Sequence, residues 1–366
     1  MKYMNKLIII FVAVFALALS ACNRDQLFER EQYKAVIALK SNSTNFFTQI
    51  LDLNSKDVDA NGFVKGSISA NVGGSLPTTE KIVITITEDP SLLNKYNFYN
   101  YETDARKYLN FLPKSRYKIP EMKIIIPAGA NAGHMDIWIN ANGLSPDSVY
   151  IIPFRVVSCS AYEMNPEKST VFYRIERKNR WSYTSSNGNT LASPMYQQRG
   201  RFSASDDEYD RLITWLSDPS KQKPNHTQTY TTKNVYVVSN NELRVLSTNL
   251  AGVPTGENPA VYFPRWAMNI KVTNEKLEGT NKFKLEITPW REDHINGVQL
   301  IQIDDDKFEM ENRFLNTYEL ETNDWGYRFH VFRLCYDYIP FGSTNGKKRR
   351  MWEELRIDYV EDVTQK

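Results

Sequence analysis

Short runs in which hydrophobic and polar residues alternate occupy most of the chain. In the first half they are rich in β-branched and aromatic residues, and clusters of Gly, Pro, Asn and Ser divide them, which is typical of an antiparallel β-sandwich. The predicted strands are Val36–Leu39, Phe63–Ala70, Ile82–Thr87, Lys123–Ile126, Met135–Asn140 and Val149–Val157. Only Ser91–Leu109 is expected to be partly helical, because Asp89 and Pro90 suit a helix start.

The second half begins with one predicted helix and continues as strands. Ser205 and Glu208 form a capping box, and apolar residues then recur at helical spacing until Pro219. Closely spaced β segments favour a single antiparallel barrel or a jelly roll. These segments are Asn234–Val238, Glu242–Ser247, Ala260–Phe263, Met268–Val272, Lys282–Thr288, Gln299–Ile303, Tyr327–Tyr338 and Leu355–Val360.

The first 21 residues have the pattern of an export signal. Lys2 and Lys6 precede an unbroken apolar run over residues 7–19, which is shorter than the ~20 apolar residues that span a bilayer. The sequence Leu-Ser-Ala that follows resembles the lipobox of bacterial lipoproteins, and this resemblance implies that Cys22 is acylated after cleavage. We therefore expect a lipid anchor at Cys22 in the outer membrane, with the body exposed at the cell surface.

Composition divides and limits the remaining chain. Removing 21 of 366 residues leaves 345, enough for two domains. We predict a polar tether over 22–32, a β-sandwich over 33–165 and a barrel or jelly roll over 175–366. The signal carries two lysines and no acid, so the formal charge of +2 falls to zero in the mature part. No charge excess remains to attract nucleic acid.

Several motifs in the first half resemble one known family. They are Leu93-Asn94-Lys95-Tyr96-Asn97, Phe111-Leu112-Pro113, Ile124-Ile125-Ile126-Pro127-Ala128-Gly129 and Tyr150-Ile151-Ile152-Pro153-Phe154. They resemble the N-terminal domain of unknown function of Bacteroidetes surface lipoproteins of the glycan-utilisation type, which also precedes some family 18 glycoside hydrolases. The run from Phe329 to Tyr338 and the end of the chain resemble the C-terminal domain that accompanies it. The resemblance implies an immunoglobulin-like sandwich over 33–165, a lipocalin-like barrel after it and no catalytic residues to transfer.

Motifs for the common enzyme classes are missing from the sequence. There is no nucleophile elbow, zinc-protease motif, P-loop or dinucleotide-binding fingerprint, and the four histidines are scattered. We therefore predict no cofactor and no metal. Asp57-Val58-Asp59-Ala60-Asn61-Gly62 matches the first half of a calcium loop, but Ile68 occupies the twelfth position, where a Glu is needed. We interpret it as a turn between strands.

The binding hypothesis depends on aromatic residues beside predicted turns. A sugar presents an apolar face of C–H groups that an exposed Trp or Tyr ring can cover. Such rings follow or precede turn-forming residues at Trp181, Tyr183, Trp290, Trp325 and Tyr327. Packing in the core is the alternative for each of them.

These observations predict a non-catalytic, surface-anchored lipoprotein that binds glycan for a neighbouring transporter or glycoside hydrolase. Two alternatives remain at this stage. One is a structural or adhesive subunit without a sugar site. The other is a glycoside hydrolase, for which Glu292-Asp293 and Asp304-Asp305-Asp306 are the candidate carboxylates.

Overall fold

The computed structural model describes residues 33–74, 78–184, 190–191, 194–291, 297–305 and 316–359. These residues form two large curled sheets, which confirms the predicted all-β class. The strands of the first sheet are β1 (Val36–Leu39), β2 (Phe46–Asp52), β3 (Val64–Gly73), β4 (Ile82–Glu88), β5 (Asn110–Phe111), β6 (Tyr117–Lys118), β7 (Lys123–Ile126), β8 (Ala132–Ile139), β9 (Tyr150–Cys159), β10 (Glu163–Met164) and β11 (Thr170–Lys178).

The first sheet follows the order β10-β1-β3-β8-β7-β4-β9-β11-β2, with β5 beside β9 and β6 beside β8. It curls until its two halves face each other. This is visible at Gly66 of β3, where an added Cβ would lie 2.5 Å from the hydroxyl of Tyr173 on β11. Alternate residues of each strand point into the space between the halves, as at Ile82, Ile84 and Ile86 of β4, which are buried.

Helix α1 (Pro90–Tyr101) follows β4 and confirms the helix expected in this region. The side chain of Asp89 caps its first turn by accepting a hydrogen bond from the backbone N–H of Ser91. Asn97 is buried, and its amide exchanges two hydrogen bonds with the backbone of Leu109, at 2.8 and 2.9 Å. These two hydrogen bonds fix the helix against the segment that contains Leu109.

A short ribbon, β12 (Tyr183–Thr184) with β13 (Thr190–Leu191), separates the two sheets. The second sheet is antiparallel, in the order β15-β14-β23-β22-β21-β19-β18-β17-β16, with β20 beside β22. Its strands are β14 (Met195–Phe202), β15 (Thr227–Asn234), β16 (Tyr236–Val237), β17 (Glu242–Leu246), β18 (Ala267–Lys276), β19 (Phe283–Pro289), β20 (Gln299–Gln302), β21 (Thr317–Thr322), β22 (Arg328–Ile339) and β23 (Arg349–Asp358).

The chain itself brings the two edges of this sheet together. Edge strand β15 ends at Asn234 and the opposite edge strand β16 begins at Tyr236, so Val235 alone separates them. A sheet whose first and last strands are one residue apart must curl into a barrel-like shape. The continuous order of neighbours therefore favours the predicted barrel over a jelly roll, which would divide the strands between two sheets.

Among the residues described, two helices accompany the second sheet, not the single one predicted. Helix α2 (Asp206–Ser217) begins at the predicted cap, where the Ser205 hydroxyl accepts a hydrogen bond from the Glu208 N–H at 3.2 Å. Helix α3 (Pro259–Trp266) occupies the segment predicted as the strand Ala260–Phe263, so that prediction is wrong. Pro259 suits a first helical position, and the carbonyl of Asn258 accepts the N–H groups of Val261 and Tyr262.

The two sheets meet at a polar contact that we call the seam. The turn of residues 238–241 from the second sheet meets Asn54, Gly143 and Asn179 of the first. The Asn179 amide donates to the Ser239 carbonyl at 2.9 Å, and the Gly143 N–H donates to the Val238 carbonyl at 3.0 Å. Strand β11 hydrogen-bonds within the first sheet as far as Lys178, so that sheet extends past the boundaries predicted at 165 and 175.

Candidate functional site

The hairpin between β21 and β22 presents two aromatic rings to solvent. Trp325 is 85% exposed and Tyr327 is 69% exposed. The Asn323 side chain accepts hydrogen bonds from the backbone N–H groups of Trp325 (3.1 Å) and Tyr327 (2.9 Å). Gly326 adopts φ of +80°, a conformation that glycine tolerates best. The exposed rings are therefore attached to a backbone fixed by its own turn. We call residues 323–327 the aromatic turn.

A groove lies at the start of the strand that leaves the aromatic turn. It encloses about 270 Å³ and combines apolar Met195 and Phe329 with charged Arg356 and Asp358. Phe329 comes two residues after Tyr327, and the Arg356 guanidinium lies 4.0 Å from the centre of its ring. Apolar surface beside charged groups suits a sugar, whose C–H face and hydroxyl groups need different partners.

Next to the groove, ion pairs link four neighbouring strands. Arg356 contacts Glu321 at 2.7 Å, and Glu321 also pairs with Arg333 at 2.6 Å. Arg333 reaches Glu354, which in turn pairs with Arg199 at 2.6 Å. Burial opposes ionisation of Glu321, but its hydrogen bond to Arg333 and the two arginine charges lower its pKa nonetheless. Glu321 is therefore ionised at neutral pH, and its ion pairs fix the polar side of the groove.

Trp181 does not lie on the surface, contrary to the prediction that it binds glycan. Its side chain is only 1% exposed and packs edge-on against Tyr318 (5.5 Å between ring centres) and Phe332 (5.7 Å) inside the second sheet. The Tyr196 hydroxyl donates to the Trp181 carbonyl at 2.8 Å. Trp181 is a core residue.

Trp290 is also a packing residue and not an exposed ring. It is half-buried and packs on the cluster formed by Leu246, Phe263 and Ala267. Its ring centre lies 4.8 Å from the Arg244 guanidinium. Tyr183 contributes its backbone to β12, and its side chain lies outside the described residues, as does Cys22.

Exposed aromatic rings also occur where the sequence reasoning did not place them. Phe98 and Tyr99 of α1 are 68% and 88% exposed, and Tyr230 of β15 is 75% exposed. A signal for the helical pair was present, because rings at 96, 98, 99 and 101 cannot all lie on one helix face. Neither ring of α1 is held by a side-chain-capped turn of the kind that carries Trp325.

The remaining candidates for chemistry have structural roles in the part of the chain that the structure describes. Asp304 accepts hydrogen bonds from the amides of Gln302 (2.7 Å) and Asn316 (2.9 Å). Residues 292, 293 and 306 lie outside that part. Asp59 accepts from the N–H groups of Asn61 and Phe63, as expected of a turn. No group of three or more His, Cys, Asp or Glu residues that could hold a metal ion occurs among the described residues.

The helices described are also too short or too polar to cross a membrane. This result applies to residues 33–359 apart from the gaps given above.

Comparison with known families confirms the resemblance predicted from the motifs. A family profile described as an N-terminal domain matches residues 32–163. A second profile, described as a C-terminal domain, matches residues 169–356, which is more than half of the chain. The chain therefore belongs to the family of proteins that these two domains define. Among curated proteins, no sequence matches this chain.

Solved structures share the fold over nearly the whole chain. A Bacteroides ovatus protein of unknown function has 15% identity and a TM-score of 0.57, covering 90% of this chain and 99% of its own. An auxiliary nutrient binding protein from Bacteroides thetaiotaomicron has 12% identity and a TM-score of 0.53, with 87% and 92% covered. A multidomain Bacteroides ovatus protein has 13% identity and a TM-score of 0.53, with 90% and 98% covered. At these identities the likeness concerns the fold.

Proposed function

We propose that this protein is a lipid-anchored glycan-binding protein that holds a polysaccharide or a glycoprotein glycan for a transporter or hydrolase in the same membrane. The aromatic turn is the observation that carries the proposal. Two large rings are exposed there, and Asn323 holds the backbone that bears them. Adjacent exposed rings offer apolar surface that a ligand can cover, and a fixed backbone lowers the entropy lost on binding.

The chemistry of the neighbouring groove supports a carbohydrate over other ligands. Rings at the turn can cover the C–H face of a sugar, and the ionised network around Glu321 and Arg356 can bind its hydroxyl groups. The shared fold of the auxiliary nutrient binding protein agrees with such a role. Stacking by the rings and hydrogen bonding by the charged side chains account for binding alone. We therefore propose binding without catalysis.

An affinity screen tests this proposal. The protein is applied to a panel of plant, fungal and host glycans, and the best ligand is then used in native gels that contain it. The glycan in the gel should retard the Trp325→Ala variant less than the wild type. One stacked ring contributes ~1 kcal/mol, so its loss should weaken affinity several-fold to tenfold. Tyr99→Ala is the matched control, because it removes an equally exposed ring from α1 and should change nothing. Equal losses in both variants would contradict the assignment, and release of shortened products would indicate a hydrolase.

The proposed anchor is tested separately. Cys22→Ala should move the protein out of the membrane fraction and abolish incorporation of labelled fatty acid, because the acyl chains are attached through that sulfur. Protease treatment of intact cells then distinguishes the outer face from the periplasmic face. Wild-type protein that takes up no fatty acid would refute the lipoprotein assignment.

A further inference from the structure

A cavity of about 170 Å³ opens at the seam, between β11 of the first sheet and β16 of the second. Its apolar wall includes Leu144, Val149 and Tyr236, and its polar wall includes Arg174, Glu176 and Arg177. Pockets for drug-sized molecules enclose roughly 300–1,000 Å³, so this cavity admits only one small ring.

The charges around the cavity do not balance. Arg174 pairs with Glu176 at 2.9 Å, and Arg244, whose side chain is fully buried, pairs with Asp147 at 2.6 Å. Arg177 instead donates through Nη1 to the neutral carbonyls of Leu144 (2.5 Å) and Ala141 (3.4 Å). Among the described residues, Arg177 forms no ion pair within 4.0 Å. One positive charge is therefore left without a carboxylate.

This charge lies in surroundings that oppose it. Burial lowers the pKa of Arg177 to about 10, and the charge of Arg244 acts in the same direction, whereas Tyr150 and Asp147 act against it. Arg244 is itself enclosed by rings, with its guanidinium 3.7 Å from the centre of the Phe263 ring and 4.8 Å from that of Tyr236. Arg177 is partly buried, and such a cation is stabilised most by an anion that can form hydrogen bonds with it.

We propose that this cavity binds a small carboxylate ligand of the uronic acid class, with its carboxylate on Arg177 and the C–H face of its ring against Tyr236. A guanidinium has a planar set of donors that matches a carboxylate, and Nε and Nη2 of Arg177 donate to no other described residue. The apolar wall of the cavity then contacts the ring of the uronic acid. This site lies at the seam and does not depend on the aromatic turn.

Calorimetry with D-glucuronate and its neutral counterpart D-glucose tests the proposal on the whole protein. Glucuronate should bind, and glucose should bind at least tenfold more weakly, because it lacks the charge that Arg177 requires. Arg177→Gln should weaken glucuronate binding by about tenfold, and Tyr99→Ala, which removes an exposed ring from α1, should leave it unchanged. Equal binding of the two sugars, or unchanged affinity in Arg177→Gln, would overturn the proposal.

Arg177 also holds the Leu144 carbonyl, so its replacement could disturb the fold. The wild-type protein crystallised with glucuronate provides a second test that needs no variant. The expected result is a carboxylate within hydrogen-bond distance of Arg177. Glucuronate bound at another place, or an empty cavity at saturating concentration, would contradict the site. Failure here would leave the aromatic turn unaffected, because the two sites are tested with different ligands and different variants.

Discussion

Two tryptophans follow the same local motif and have opposite environments. In Asn179-Arg180-Trp181 and in Asn323-Asp324-Trp325, the asparagine side chain accepts the backbone N–H of the tryptophan at 3.1 Å. Trp181 is nevertheless 1% exposed and Trp325 is 85% exposed. The difference comes from what surrounds each turn. The first lies at the seam, where the second sheet covers it, and the second lies at the end of a hairpin.

The largest expected effect is on stability at Trp181. Trp181→Ala should lower the free energy of unfolding by about 3–5 kcal/mol, because it leaves a cavity between Tyr318 and Phe332. Trp325→Ala should change it by less than about 0.5 kcal/mol. Urea denaturation of both variants measures the contrast. Similar values for the two would mean that the turns do not differ as described.

Acid should affect the surroundings of Trp181 next most strongly. His330 contacts Tyr318 at 2.8 Å, and burial, with the charges of Arg180 and Arg328, lowers its pKa from 6.5 to about 4. The folded state thus holds His330 neutral, whereas the unfolded state protonates it below pH 6.5. This contribution, ~3 kcal/mol, is complete above pH 6.5 and is lost as the pH falls towards 4.

The measurement is the free energy of unfolding at pH 7 and pH 4.5 for the wild type and for His330→Gln. The variant should lose less stability on acidification, since it has no imidazole to protonate. Tyr99→Ala, which removes an exposed ring from α1 beside the first sheet, serves as control and should follow the wild type. Parallel curves for His330→Gln and the wild type would show that His330 does not titrate in this way.

The two asparagines should differ by a smaller amount. Asn179→Ala removes the bond to the Ser239 carbonyl across the seam and should cost about 1–3 kcal/mol, because the buried Trp181 N–H also loses its acceptor. Asn323→Ala frees backbone groups that water can reach and should cost less than about 1 kcal/mol. Thermal unfolding of both variants measures the two losses of stability. A larger loss in Asn323→Ala than in Asn179→Ala would contradict the prediction.

Local sequence patterns predicted the helices and strands better than they predicted what packs around them. Alternation gave strands such as Lys123–Ile126 with the correct limits, and the capping box gave α2, because both signals depend on neighbouring residues. The run Ala260–Phe263 failed because a four-residue apolar segment fits a strand or a buried helix equally well. Strand β2 was missed because its partners, in β11, lie more than 120 residues away.

The candidate site was predictable only in part, for the same reason. A turn-forming asparagine indicates that a ring adjoins a turn, but it does not indicate whether another sheet covers that turn. The sequence reasoning therefore included Trp325 and Tyr327, which are exposed, together with Trp181, which is buried. It could not anticipate the groove, since Met195, Phe329 and Arg356 come from three different strands.

Removing both rings of the aromatic turn tests the central claim most directly. Calorimetric titration of the Trp325→Ala/Tyr327→Ala double variant with the glycan selected on the panel should give an affinity weaker by roughly thirtyfold, since each ring contributes ~1 kcal/mol. Its unfolding free energy should equal that of the wild type within about 0.5 kcal/mol. An unchanged dissociation constant in a stably folded double variant would contradict the account.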